Sequence, residues 1–338
     1  MTNTITSFRS VRFWTLLLWL TIIALNLAMC GAPQPKTYRV GVLSGHEFTA
    51  AIVDGFKESM TDHGFIEGEH IIYDVQQTTF DPEAYRRILR KFLADNVDLI
   101  LVFPTEASFE AKTVTAGSDI PVIFSFAQIE GLNIVDDARS PGGNMTGVRY
   151  PGPEIAFKRF QIMREIAPQA KRILIPYLKD YPTVPAQLDV LRPAALSAGV
   201  TLVEAPVATP AELAELLEAQ ISDGRAQVDA ILHLAEPLVV TPDFFEILTR
   251  FANEHQLPMG GVSMSVDGYE SLFDVNPRPF QTGKNAALLA SQVLRGVSAG
   301  DLPVISDNVY VRINYRAAQR MGISVSDILL QEADEVIQ

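Results

Sequence analysis

The chain has 338 residues, 48% hydrophobic and 20% charged, which places it among globular proteins with room for two domains and away from disordered chains. Its formal net charge of −13 repels phosphate backbones and argues against a nucleic-acid partner. A single cysteine rules out an internal disulfide, and no paired Cys/His spacing of a structural zinc site occurs.

Arg9 and Arg12 precede residues 13–29, an almost uncharged apolar run. As a helix it would span roughly 25 Å, slightly short of a bilayer's hydrocarbon core. Positive residues, an apolar stretch and small residues near a cut site describe an export signal. The run ends Leu27-Ala28-Met29-Cys30-Gly31, which resembles the lipobox of bacterial lipoproteins, although Met29 stands where a small residue is usual. Residues 1–29 therefore read as a signal peptide and residues 30–37 as a tether lipidated at Cys30. The other reading is an uncleaved anchor helix with an incidental cysteine. Both place the rest of the chain outside the cytoplasmic membrane.

From residue 38, strand-like and helix-like segments alternate. Residues 38–43 form a buried strand candidate. A helix over about 49–63 follows, with Ile52, Phe56 and Met60 on one face and Gly64 as its stop. Residues 71–75 read as a strand. Asp81-Pro82 opens the next helix, because Asp can accept from free N–H groups and Pro fits the first turn. Residues 98–103 are a strand, 107–116 a helix and 120–126 a strand. Apolar strands separated by helices indicate a parallel sheet covered on both faces.

The order then recurs. Residues 172–177 are a strand, 184–198 a helix stopped by Gly199, and 201–207 a strand. Thr209-Pro210-Ala211-Glu212 is a capping box. Strands at 228–234 and 257–262 flank a helix opened by Thr241-Pro242. The fold class is α/β, with two doubly wound parallel-sheet lobes. The Gly/Pro-dense stretch 141–153 separates them. The tail (strand 271–275, helix 280–295, strand 309–313, helix 315–321) is expected to return and complete both sheets, so that the crossings form a hinge. The first lobe is expected to comprise residues 38–148 with 278–304, the second 149–277 with 305–330.

In open parallel sheets, ligands sit beyond the carboxyl ends of the strands. The loops there carry no Gly-x-Ser-x-Gly elbow, His-Glu-x-x-His pair, Walker A loop or dinucleotide fingerprint. No catalytic residue, metal or cofactor is expected. Ser44, Thr105, Thr183 and Ser263 can donate to an anionic group, aided by the helix starts after Thr105 and Thr183. Glu236 or Asp274 can pair with an ammonium. Phe126, Tyr181 and Tyr269 can stack on a flat group. His46 is the one histidine in such a loop; with Glu106 or Glu236 it makes the best acid/base set an exported enzyme would have. This equipment suits a small zwitterion. Capping roles for the hydroxyls and a solvated role for Glu236 are the competing readings.

The segments "HEFTAAIVDGFKESMTDHGFIEGEHIIYDV", "VDLILVFPTEASFEAKTVTAGSDIPVIFSF", "SPGGNMTGV" and "VRINYRAAQRMGI" resemble the ABC-transporter substrate-binding proteins related to the aromatic-amino-acid binders. The resemblance covers residues 38–323 and implies a type I periplasmic-binding-protein fold: two Rossmann-like lobes, a three-strand hinge and a ligand clamped between them. The scaffold matches better than the pocket. Phe103-Pro104-Thr105-Glu106-Ala107 stands where Ala-Thr-Pro-Ala is frequent, Tyr181-Pro182-Thr183 replaces Asn-Ser, Ala235-Glu236-Pro237 replaces an Asp-Asn pair, and Gly268-Tyr269 replaces Gly-Ala. The expected function is an extracytoplasmic, lipid-anchored, monomeric receptor. It would pass a small organic ligand, with an aromatic amino acid as the leading class, to an ABC permease in the membrane. The alternative is a ligand-binding sensor for a membrane signalling partner.

Overall fold

In the first half, apolar runs form β1 (Tyr38–Ser44), β2 (Ile71–Gln77), β3 (Leu99–Phe103), β4 (Val122–Ala127) and β5 (Met145–Arg149), alternating with α1 (Ala51–Asp62), α2 (Pro82–Ala94) and α3 (Thr105–Val114). The structure is a computed structural model and describes residues 36–46, 50–263, 265–266 and 269–338. The export signal and Cys30 lie outside the described residues. Tyr38–Gln338 fold as one unit.

The five strands and β15 (Ile305–Ser306) pair in parallel in the order β2-β1-β3-β4-β5-β15. Strand β3 is buried throughout. Its Leu99, Leu101 and Phe103 join a core with Ile52 and Phe56 of α1, while Ile100 and Val102 join one with Tyr85, Leu89 and Phe92 of α2. Helices therefore cover both faces, which is why the strand reads as a continuous apolar run. Helix α2 starts as its sequence requires: the Asp81 carboxylate accepts from the N–H groups of Glu83 and Ala84, and Pro82 occupies the first turn.

The second half repeats the plan. Helix α4 (Gly152–Ile166) leads to β6 (Arg172–Leu178), α5 (Val184–Ser197), β7 (Thr201–Val207), α6 (Pro210–Ala219), a small hairpin of β8 (Ile221–Ser222) with β9 (Arg225–Ala226), β10 (Ala230–Leu232), α7 (Pro242–Glu254) and β11 (Met259–Gly260). Strands β7-β6-β10-β11 make a parallel sheet. The capping box at α6 forms with one shift. Thr209 Oγ accepts from Glu212 N–H, but the Glu212 carboxylate reaches back to the Ala208 N–H.

The tail closes the first sheet but, instead of extending the second, builds a separate three-stranded sheet tied to it by a bridge. After a hairpin of β12 (Ser265–Val266) and β13 (Tyr269–Glu270), β14 (Phe273–Asn276) bridges to Gly261 beside β11 and pairs with β16 (Tyr310–Asn314). Strand β17 (Glu335–Ile337) adds to β16, and α9 (Tyr315–Arg320) and α10 (Asp327–Glu332) pack on the same core as α4 and α5. Between β14 and β16, α8 (Pro279–Leu294) packs with α1 and β15 closes the edge of the first sheet. Thus the chain passes between the two sheets three times, near residues 149–152, 276–279 and 306–310. Strand pairing keeps Ile305–Ser306 with the first sheet.

Helices α1 and α8 approach through two glycines. A Cβ on Gly55 would lie 2.0 Å from the Phe280 carbonyl oxygen, and one on Gly283 would lie 2.1 Å from that of Ile52. Backbone cannot yield as a side chain can, so Gly283→Ala is expected to destabilise the protein by about 1–3 kcal/mol. Chemical denaturation measures this; an unchanged midpoint and slope would show that the crossing is looser than described.

Candidate functional site

The carboxyl ends of the strands of both sheets face a common cavity of about 590 Å³. From the first sheet come His46 after β1, Thr105 and Glu106 after β3, Phe126 and Gln128 at the end of β4, and Tyr150 after β5. From the second come Tyr181 and Thr183 after β6, Ala235 and Glu236 after β10, Ser263 after β11, and Asp274 of β14. These loops bring together His46, Thr105, Glu106, Phe126, Tyr181, Thr183, Glu236, Ser263 and Asp274, all singled out from the sequence. Ser44 and Tyr269 are not on the cavity wall. Ser44 is buried at the end of β1, and Tyr269 packs into the core with Phe245, its hydroxyl donating to the Leu257 carbonyl.

Phe126 reaches the cavity through a bulge. The β4–β5 register slips between Phe124 and Ala127, and Phe126 takes a φ of 50°. An extra residue at a strand end re-aims the side chain, and a non-glycine residue with this φ persists only where its surroundings hold it. The ring packs on Tyr150 at 4.7 Å between centroids, in contact with the cores of both sheets. At the mouth, His46 lies 4.6 Å from the Phe80 ring, and the Arg278 guanidinium stacks 4.3 Å over Tyr310.

The two hydroxyls expected at helix starts have other partners. Thr105 Oγ accepts from Gln128 N–H at 3.1 Å, and Thr183 Oγ donates to the Ala235 carbonyl at 3.4 Å. Neither caps its helix. Buried Gln128 then joins the sheets: its Nε2 donates to the Thr183 carbonyl at 3.1 Å. Gln187 of α5 donates to the Ala235 carbonyl and accepts from its N–H.

Sequence reasoning missed Arg159, which is fully buried and lines the cavity floor. Its Nε and Nη2 donate to the Val275 carbonyl, Nη1 to that of His233, and Nη2 to Asn276 Oδ1. Asn276 also accepts from the Tyr150 hydroxyl at 2.7 Å. Asn276, Arg278, Tyr310 and Arg312, also missed, sit on or beside the crossings.

The cavity's charge balance is unusual. Glu236 Oε2 accepts from the N–H groups of Leu238 and Leu178, while Oε1 is sealed from solvent without a hydrogen-bond partner. Glu106 Oε1 is likewise sealed and unpartnered. Burial pushes the Glu236 carboxyl up to about 8, against the lowering effect of its backbone donors and Arg159, with the Glu106 charge adding to the rise. Burial pushes Glu106 up to about 7. Desolvation also raises Asp274. His233, just after β10, is driven down to about 3 by burial and by Arg159, so it stays neutral. Among the described residues no group of three or more His, Cys, Asp or Glu side chains is placed to hold a metal ion.

The family described as ABC transporter substrate binding protein matches residues 39–337. A tyrosine-binding protein of Clostridioides difficile strain R20291 is 26% identical over 319 residues, covering 89% of this chain and 86% of that one. Among solved structures, an ABC domain in complex with L-Trp from Streptococcus pneumoniae aligns at TM-score 0.77 and 24% identity, covering 89% of this chain and all of that one. The ligand-free, open form of a Clostridium difficile substrate-binding protein with adhesive properties aligns at TM-score 0.70 and 22% identity, covering 89% and 99%. At these identities the structures speak for the fold alone. More distant neighbours include a periplasmic binding ribose operon repressor protein of Lactobacillus acidophilus, at TM-score 0.55 and 14% identity over 81% of this chain and 96% of that one. The fold is the type I periplasmic-binding-protein fold.

Because the folded state holds protons on Glu106 and Glu236 that an unfolded chain releases near pH 4.5, these groups make stability fall as pH rises from about 4.5 to 8. Glu236→Gln is expected to flatten the upper part of this dependence and to raise Tm at pH 8 by roughly 2 °C or more. Thermal unfolding of both proteins between pH 6 and 8 checks this; parallel curves would place the charge elsewhere.

Proposed function

The chain belongs to the ABC transporter substrate-binding protein family, and from that premise we propose that it is the extracytoplasmic receptor of an importer, holding a small organic ligand between two lobes and delivering it to a membrane permease. The observation that carries this reading is the cavity itself. It is walled from both sheets, its 590 Å³ suit a small molecule, and aromatic rings line it beside a few aimed polar groups. The three crossings supply a hinge between lobes of about 38–148 with 278–306 and 149–277 with the remainder. A ligand that touches both lobes favours their closed arrangement by its differential affinity for it.

An aromatic amino acid is the leading ligand class. Phe126, Tyr150 and Tyr181 offer faces for a ring, and Glu236 and Asp274 offer charge to an ammonium. The tyrosine-binding relative and the L-Trp complex are in keeping with this class. Export and lipidation at Cys30 would tether a monomer to the membrane, each buried methylene contributing about 0.8 kcal/mol. Among the described residues no helix is long and apolar enough to cross a membrane.

A thermal-shift screen of the full chain against amino acids and small organic solutes tests the reading. A ligand at a hundred times its Kd should stabilise by about 2.7 kcal/mol. Stabilisation by Phe, Tyr or Trp is the expected result. Stabilisation by a sugar or a carboxylic acid alone would assign a different ligand to the same scaffold.

A further inference from the structure

The groups that line the cavity differ in how fully the protein already engages them. The Arg159 guanidinium is bonded to two carbonyls and Asn276. The Arg312 guanidinium donates to Ser263 Oγ at 3.0 Å and pairs with Glu335 at 3.4 Å. Arg278 is exposed and stacked on Tyr310 at the mouth. The cations are thus engaged or peripheral. The sealed polar atoms left without a hydrogen bond on the cavity-lining residues are Oε1 of Glu106, Oε1 of Glu236 and Nε of Arg312, and of these only Arg312 Nε has an ion-pair partner, Glu335 at 3.4 Å.

These two carboxylates come from opposite sheets. Glu106 follows β3, in the first turn of α3, and Glu236 follows β10. Both line the same cavity, and the charge of Glu106 acts on Glu236. A buried carboxylate without a donor is costly and a second one beside it costs more, which is why both groups hold protons until a cation compensates them. A primary ammonium between them supplies three N–H donors and the opposite charge, in charge-assisted bonds of about twice ordinary strength. The sealed donor without a hydrogen bond on this lining, Arg312 Nε, is already paired with Glu335, so a ligand carboxylate meets no unengaged cation there.

We propose that the ligand is recognised by a protonated amine clamped between Glu106 and Glu236, with an apolar or aromatic body on Phe126 and Tyr150, and that it needs no carboxylate. The substrate class is therefore organic ammonium compounds, within which amino acids are only one kind. This rests on the cavity being the ligand site.

Isothermal titration of the full chain in detergent with tyrosine, tyramine and N-acetyltyramine separates the possibilities. Tyramine should bind within about tenfold of tyrosine or more tightly, and N-acetylation should abolish binding. Glu236→Gln and Glu106→Gln should each weaken tyramine by about ten- to a hundredfold, the loss of a bond to a charged group. Circular dichroism confirms that each variant is folded, and the wild-type ligand series stands even if one is not. Tyrosine binding with tyramine a hundredfold weaker would overturn the amine rule and leave the receptor reading intact. Equal binding of tyramine and N-acetyltyramine would also overturn it. Binding of none of the three would remove both the amine rule and the aromatic ligand class.

Discussion

A guanidinium buried beyond the reach of solvent organises this molecule. Arg159 makes no ion pair within 4 Å among the described residues; carbonyl oxygens and one amide hold it instead. An isolated buried charge is expensive, so its partners must be rigid and well placed. The Val275 carbonyl belongs to the strand that leads into the second crossing. The His233 carbonyl stands three residues before Glu236. One side chain thereby sets where the crossing starts and where the cavity's carboxylate sits. Its charge also opposes the rise of Glu236 and Asp274, which keeps acidic groups tolerable in a sealed space.

From this anchor the functional arrangement follows. Strand ends of two parallel sheets face each other because three crossings hold them so, and the loops at those ends carry the variable chemistry. The scaffold places aromatic faces, a buried Gln128–Thr183 bond between sheets and two unpartnered carboxylate oxygens around one space. A receptor needs little more: contacts to both lobes that are better satisfied when the lobes are together with the ligand than when they are apart. The carboxylates are the clearest such contacts, since each is destabilised until a donor arrives.

Much of this was legible in the sequence, for identifiable reasons. Helix-covered parallel strands leave continuous apolar runs, and Asp81-Pro82 and Thr209 with Glu212 mark helix starts whose bonds are local. Strand ends of open parallel sheets face one crevice, which is why nine residues singled out from the sequence line one cavity. Arg159 was half legible. Its spacing from Ile155 and Met163 sets it on the buried stripe of α4, an odd place for a guanidinium, but its partners lie 74 to 117 residues away. Phe126 turns inward because of a register slip, and periodicity does not register one extra residue. Ser44 ends β1 buried and off the cavity wall, and Tyr269 turns its ring into the core with its hydroxyl on the Leu257 carbonyl, choices made by packing. Asn276, Arg278, Tyr310 and Arg312 enter the cavity only because the tail returns twice.

The most direct test of the clamp is a crystal structure of the protein with the tightest-binding amine or amino acid. The account predicts the ligand nitrogen within hydrogen-bond distance, about 2.7–3.2 Å, of carboxylate oxygens of both Glu106 and Glu236, with the apolar body against Phe126 and Tyr150. A ligand seated outside this cavity, or one inside it with its nitrogen in contact with only one sheet, would contradict it.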